Sequence, residues 1–116
     1  MKFYKCNECN QIIISLTGNK DLNMTELTPN TVDASVEKHT PVVKVDGNKV
    51  VVTVGSTTHP MLEEHYIEWI LIETNQGFIK KDLKPGTAPT ATFILGEAEE
   101  LVNCYSYCNL HGLWKA

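Results

Sequence analysis

The stretch Cys108–Lys115, with the sequence CNLHGLWK, lies almost at the C-terminus and places a thiol and an imidazole three residues apart. This spacing lets both side chains reach one metal ion from a single tight loop. Gly112 follows directly and predicts a close backbone approach or a positive φ angle. A tail this short is expected to fray unless something holds it, and a metal bond would do so. We therefore expect the rest of the chain to bring further imidazoles to this loop.

The composition is that of one domain, or one domain with a small appendage. The chain has 116 residues, of which 42% are hydrophobic and 21% are charged, so a packed core is expected. The net charge is −4, and there are ten lysines and no arginine. This charge argues against a nucleic-acid partner, because affinity for nucleic acid depends on a basic surface and arginine reads many bases. An anionic substrate would need a local patch of lysine.

The N-terminal residues Met1–Cys6 lack the apolar segment of a signal peptide, and no apolar run approaches the length of a membrane span. We therefore expect a soluble cytoplasmic protein with no membrane partner. Thiols stay reduced in the cytoplasm, so the four cysteines favour metal binding over disulfides.

The first segment, Lys2–Ile14, reads as a strand, a Cys-x-x-Cys knuckle and a second strand. Cys6 and Cys9 are half of a tetrahedral thiolate site. No second close pair of cysteines follows, so a metal-free knuckle is favoured over a complete centre. Residues Thr17–Ser35 are polar, with Gly18, Asn19, Asn23, Pro29 and Asn30, and predict a linker. The domain division expected is 1–35 and 36–116.

From Val36 onward the sequence predicts strands. Two valine-rich runs, 41–45 and 49–54, flank an Asp-Gly turn and indicate a hairpin. The run Tyr66–Glu73 is apolar on both faces in its second half, which is typical of a central strand. Further strands are predicted at 78–81, 90–95 and 101–107, and a turn at Met61–Glu64. About seven short strands favour an all-β fold, an antiparallel β-sandwich of immunoglobulin-like kind with a small N-terminal β appendage.

The four histidines are all placed near predicted strand ends: His39, His59, His65 and His111. Loops at one end of a sandwich can converge, which would bring these imidazoles to Cys108. Zinc normally takes four ligands, so five candidates favour a redox-active iron with one open position. Blue copper also uses Cys and His on a β-sandwich, but it usually has a weak axial Met shortly after them. No Met follows His111, and Met61 could serve only by coincidence.

Several motifs in order resemble the superoxide reductase family, which includes desulfoferrodoxin and neelaredoxin. They are Glu37–Pro41 (EKHTP), Gly55–Ser56, His59–Met61 (HPM), His65–Ile70 (HYIEWI), Lys84–Gly86 (KPG) and Cys108–Lys115. The resemblance covers Val36 to Lys115. The N-terminal segment is similar to a desulforedoxin domain at Tyr4–Cys6 and Cys9. It departs near Asn23 and Met24, where that domain carries adjacent cysteines, and this implies a domain that has lost its iron.

The resemblance implies a mononuclear non-haem iron with four equatorial imidazoles, His39, His59, His65 and His111, and an axial thiolate, Cys108. Glu37 is similar to a glutamate that binds the ferric ion, and Lys38 to a lysine beside the open position. The implied reaction is one-electron reduction of superoxide to hydrogen peroxide. A rubredoxin-like donor and a homodimer are implied as partners.

The sequence is also compatible with a second class of function. The same sandwich could be a non-catalytic iron or copper protein that transfers electrons or binds metal. An open coordination position favours the enzyme, and a closed site favours the carrier. Cys104 is expected to be a buried free thiol, because residues four apart on a strand lie about 13 Å from each other, too far for a disulfide.

Overall fold

The computed structural model describes residues 1–16 and 23–116, and β-strands dominate it. In chain order the elements are β1 (Lys2–Cys6), β2 (Ile12–Ser15), β3 (Met24–Leu27), α1 (Val36–His39), β4 (Pro41–Asp46), β5 (Lys49–Val54), β6 (Ile67–Thr74), β7 (Gly77–Asp82), β8 (Thr90–Ile94), β9 (Leu101–Cys108) and β10 (Gly112–Lys115). They form three antiparallel sheets, with the orders β2-β1-β3, β10-β9-β6-β7 and β4-β5-β8. No helix among the described residues has the length and apolar character that crossing a membrane requires.

The core lies between the four-stranded sheet and the sheet β4-β5-β8. Alternate residues of β5, namely Val50, Val52 and Val54, are fully buried against Ile70 and Ile72 of β6. The period of two in β5 follows from the strand geometry, in which successive side chains point to opposite faces. This arrangement confirms the all-β fold and the antiparallel sandwich that the sequence predicts.

The strand β6 is apolar on both faces because it is covered on both. Its second face, with Trp69 and Leu71, packs against Tyr105, Tyr107 and Leu113, and Phe3 of β1 closes this cluster. The ring of Phe3 lies 5.8 Å from that of Trp69 and 4.8 Å from that of Tyr105. The N-terminal sheet therefore packs on the outer face of the four-stranded sheet.

Three elements differ from the expectation. Strand β3 lies inside the segment 17–35 that was predicted to be a linker, where it pairs with β1. The expectation for Thr17, Gly18 and Asn19 falls outside the described residues. Helix α1 was predicted as part of the strand region, but it is a single turn too short to show a helical period.

The third difference concerns the C-terminus. His111 does not lie beyond the last strand but in the turn between β9 and β10. Strand β10 pairs with β9 from Gly112 to Lys115, so the tail is held in a sheet. Gly112 has a φ angle of 77°, as predicted, and this turn returns the chain along β9.

Candidate metal centre

Five predicted ligands come from loops and strand ends at one end of the sandwich. His39 ends α1, Cys108 ends β9, and His111 lies in the turn after it. His59 follows β5, and His65 closes a turn in which its backbone exchanges two hydrogen bonds with Leu62. The predicted turn at Met61–Glu64 is thereby confirmed.

The four imidazoles form a closed square. Ring centroids of neighbouring histidines lie 4.7 Å apart for His39 and His59, 4.7 Å for His59 and His65, 5.1 Å for His65 and His111, and 4.8 Å for His111 and His39. The diagonal between His39 and His65 is longer, 6.4 Å. Neighbouring planes are inclined by 70–84°, so each ring turns an edge to the next. Four imidazoles in such a square can all turn a ring nitrogen towards one central space.

The ligand atoms themselves converge. One donor atom each from His39, His65, Cys108 and His111 lies within 4.8 Å of the other three. The Nε2 atom of His59 lies 3.1 Å from Nε2 of His39 and 3.5 Å from the Cys108 sulfur, so it belongs to the same site. The Cys108 sulfur also lies 3.9 Å from Nδ1 of His111. The thiol therefore lies in the same cluster as the four imidazoles.

The tautomers of two rings leave both of their Nε2 lone pairs facing the same space. His39 Nδ1 donates to the Ser35 carbonyl and His59 Nδ1 donates to the Pro60 carbonyl, both at 2.7 Å. In a neutral imidazole the other nitrogen then carries only a lone pair. The two Nε2 atoms nevertheless face each other at 3.1 Å, and neither can donate. Two lone pairs aimed at one space are the geometry of metal ligation.

The ring of His65 also indicates a metal site. Its Nε2 is buried and has no hydrogen-bond partner among the described residues. Buried polar atoms in native proteins nearly always have a partner. A metal ion at the centre of the square would satisfy this nitrogen, and the residues present therefore fit the expected iron.

The environment keeps the imidazoles neutral, which is the form that binds metals. Burial lowers the pKa of His59 to about 4 and also lowers the pKa of His39 and of His65. Burial raises the pKa of the Cys108 thiol. A bound cation removes a thiol proton outright, so thiolate ligation and metal binding go together.

Several residues to which the sequence assigned no chemistry hold the ligands. Ser35 and Pro60 provide the carbonyls that set two tautomers, and the buried Ser106 hydroxyl donates to the His39 carbonyl over 3.2 Å. The indole of Trp114 stacks on His39 at 5.0 Å and donates to the His111 carbonyl. Carbonyl contacts have no residue-type signal, so only Trp114 could have been found from the sequence.

Glu37 and Lys38 lie on α1, directly before His39, and both are exposed. The charge of Lys38 is near enough to lower the pKa of both His39 and His65. The Glu37 carbonyl accepts from the Thr57 N–H at 3.0 Å and from the Ser56 hydroxyl at 3.3 Å. These two bonds tie the backbone of Glu37 to the segment that follows β5.

The N-terminal knuckle lacks further ligands in the described part of the chain. In that part of the chain, the group of metal-ligating side chains formed by His39, His65, Cys108 and His111 includes neither Cys6 nor Cys9. Met24 pairs with Cys6 across the sheet, and the Asn7 N–H donates to the Asn23 carbonyl. All four cysteines are free thiols, and Cys104 is buried, as expected.

Comparison with known proteins agrees with the geometry of the site. A family model described as Desulfoferrodoxin matches residues 31–116. The chain is 41% identical over 122 residues to a desulfoferrodoxin homolog of Archaeoglobus fulgidus, covering 100% of this chain and 96% of that protein. It is 44% identical over 121 residues to the desulfoferrodoxin of Nitratidesulfovibrio vulgaris, with coverages of 99% and 94%.

The solved structures include a similar fold over nearly the whole length. The crystal structure of the superoxide reductase from Treponema pallidum superposes with a TM-score of 0.84 at 35% identity. The match covers 99% of this chain and 97% of that one. The N-terminal sheet and the sandwich are therefore both represented in that structure.

Proposed function

The chain belongs to the desulfoferrodoxin family, and we propose that it is a superoxide reductase that converts superoxide into hydrogen peroxide. The reaction takes up one electron and two protons for each superoxide, and no dioxygen is released. The single observation that carries the proposal is the square of four imidazoles beside one thiol, with ring-nitrogen lone pairs aimed at a common centre.

The ligands of a mononuclear non-haem iron are His39, His59, His65, Cys108 and His111. Bound there, ferrous iron supplies the single electron that superoxide accepts. Five protein donors exceed the four of a structural zinc site, and an iron held by them would keep room for a further ligand such as the substrate. A soft thiolate beside neutral imidazoles also suits iron or copper more than hard cations such as magnesium. The Cys108 thiolate would be one of the ligands of the iron, to which it would donate electron density.

Lys38 attracts the substrate. Superoxide is a small anion, and the protein carries a net charge of −4, so the field of the whole molecule repels it. The Lys38 ammonium is exposed and acts on two of the imidazoles. It therefore provides a local positive charge at the mouth of the site, where it can also orient the water that supplies protons.

Glu37 is the residue that we expect would bind the iron in its ferric state. Its backbone is held by Ser56 and Thr57, so its carboxylate can approach or withdraw by rotation of the side chain alone. A carboxylate is a harder ligand than a thiolate and suits the higher oxidation state.

The electron that restores the ferrous state comes from a separate donor, which we propose to be rubredoxin-like. The described residues hold no second group of three or more metal-ligating side chains that could relay electrons within the chain. We further propose that the protein is cytoplasmic and forms a homodimer. Each chain divides at residue 35 into an accessory N-terminal unit and a catalytic unit of residues 36–116. The four free thiols support a reducing compartment, and all five ligands fall in the second unit.

The test is pulse radiolysis of the iron-loaded protein, preceded by elemental analysis. We expect about one iron per chain, rapid second-order loss of superoxide, and one hydrogen peroxide for each superoxide consumed. Evolution of dioxygen at half the superoxide consumed would indicate dismutation instead. An iron that changes oxidation state without accelerating the loss of superoxide would indicate the carrier function.

A further inference from the structure

Asn109 makes three hydrogen bonds to the segment that carries His65. Its side-chain amide donates to the Glu64 carbonyl over 3.1 Å, and its side-chain oxygen accepts from the Tyr66 N–H over 3.0 Å. Its backbone N–H donates to the Tyr66 carbonyl over 3.2 Å. Asn109 directly follows Cys108, so these bonds join the loop of the thiol ligand to the residues on both sides of an imidazole ligand.

The same three-bond pattern occurs at the other end of the β6–β9 pair. The Asn75 side chain donates to the Ala98 carbonyl over 3.0 Å and accepts from the Glu100 N–H over 2.9 Å, and its backbone N–H donates to the Glu100 carbonyl over 3.0 Å. Each asparagine directly follows one strand and bonds the residue directly before the other. We call this arrangement an asparagine clasp. By itself, therefore, the clasp only joins two antiparallel strands at the end of their pairing.

Only the Asn109 clasp encloses a metal ligand, and that ligand depends on it. The rings of His39 and His59 are oriented by their own hydrogen bonds to carbonyl oxygens. Among the described residues no hydrogen bond orients the ring of His65, and its buried Nε2 has no partner. Its position is set by its backbone, through the turn with Leu62 and through the two neighbours that Asn109 holds.

We propose that Asn109 is a positioning residue of the metal centre, which sets His65 in register with Cys108 so that both ligands are in place before the metal arrives. The inference rests on the metal site of the proposed function. Outer partners that orient a ligand typically change metal affinity by about 10- to 100-fold when they are removed. A clasp that only closed the strand pair would change folding stability and leave affinity unaffected.

The experiment compares Asn109→Ala with the matched variant Asn75→Ala, which removes the two equivalent side-chain hydrogen bonds at the other end of the strand pair. Affinity for Fe²⁺ is measured anaerobically by competition with a chelator, and stability by denaturant unfolding. We expect both variants to lose similar stability, while only Asn109→Ala binds Fe²⁺ about 10- to 100-fold more weakly. Equal affinities in the two variants would overturn the proposal.

A double-mutant cycle identifies the ligand through which Asn109 acts. In a His65→Ala background, Asn109→Ala is expected to cause no further loss of Fe²⁺ affinity, because the ligand it positions is absent. An undiminished effect in that background would show that Asn109 does not act through His65. Failure of the unchanged protein to bind Fe²⁺ would contradict the proposed function itself, and the two failures are thus distinguishable.

Hydrogen exchange tests the same coupling without a substitution that could impair folding. If the clasp favours metal binding, metal binding must favour the clasp by the same factor. The Tyr66 and Glu100 N–H groups are each held by a clasp asparagine. We expect Fe²⁺ to slow exchange in the peptide with Tyr66 at least 10-fold more than in the peptide with Glu100. Equal slowing in both peptides would contradict the proposal.

Discussion

Replacement of Lys38 by alanine should slow the reaction with superoxide and reverse its dependence on salt. Lys38 lies beside His39 on α1, and we take roughly 6 Å as the separation between its charge and an anion at the ligands for use in Coulomb's law. Coulomb attraction at that distance changes the encounter rate by about threefold with the dielectric constant of water, and by about a hundredfold with an effective value of about 20. We therefore expect Lys38→Ala to lower the second-order rate about tenfold.

The sign of the salt effect follows from the charges. With Lys38 present, screening weakens a local attraction, and the rate should fall as salt is added. Without Lys38 the substrate meets only a net charge of −5, since one positive charge is removed from −4. Screening then weakens a repulsion, and the rate should rise with salt.

Lys49→Ala is the matched control, because it changes the net charge by the same amount. Lys49 is exposed at the far end of β5 from Val54, five residues or about 17 Å along the strand. This separation exceeds the screening length of about 10 Å at 0.1 M salt. Pulse radiolysis over a range of ionic strength should show little change for Lys49→Ala. A Lys38→Ala variant with the same rate and salt slope as Lys49→Ala would refute the steering role.

Three further substitutions test the site and the core. Cys108→Ser should abolish the thiolate-to-iron charge-transfer band in the visible spectrum, whereas Cys104→Ala should retain it; a band that survives in Cys108→Ser would remove this residue from the site. Gly55→Ala should lower the free energy of unfolding by about 1–3 kcal/mol, because the new Cβ would lie 2.3 Å from the Thr57 carbonyl oxygen and 2.6 Å from that of Lys38. Gly47→Ala, at a φ of 60° with nothing within 4 Å, should lose less in the same denaturation assay; equal losses would show that close contact is unimportant. Burial raises the pKa of Cys104 from 9.0 to about 12. The neutral thiol of the folded protein therefore adds to the free energy of unfolding below pH 9.0, and up to about 4 kcal/mol of this stability is lost as the pH rises from 9.0 to about 12. Denaturation of Cys104→Ala should show a smaller alkaline loss than the unchanged protein, and identical pH profiles would contradict this reasoning.

The sandwich could be predicted from sequence because its strands have strong local patterns. The valine alternation of β5 and the two-sided apolar run of β6 both follow from what each strand packs against. The elements that were missed have weak patterns. The sequence of β3 is MTEL at the edge of a three-stranded sheet, and β10 is GLWK, which reads as a tail.

The ligand residues could be predicted by type, but the atoms that face the centre could not. His39 and His59 present Nε2, whereas His111 presents Nδ1 to His39 at 3.1 Å. Which ring nitrogen faces the centre depends on which carbonyl lies behind each ring and on the turn that Gly112 allows. Such contacts arise from tertiary structure and leave no spacing in the sequence. For the same reason the clasp of Asn109 was not predicted, although the residue adjoins Cys108.

The packing of the sandwich determines both the position and the protonation state of the ligands. Each ligand is attached to the end of a strand or to a short turn, and these strands are held by the burial of apolar side chains such as the valines of β5 and the isoleucines of β6. The same burial holds the pKa of His59 at about 4, so that its imidazole is neutral and can bind a metal. One set of apolar contacts therefore brings the imidazoles together and keeps them in the form that a metal requires.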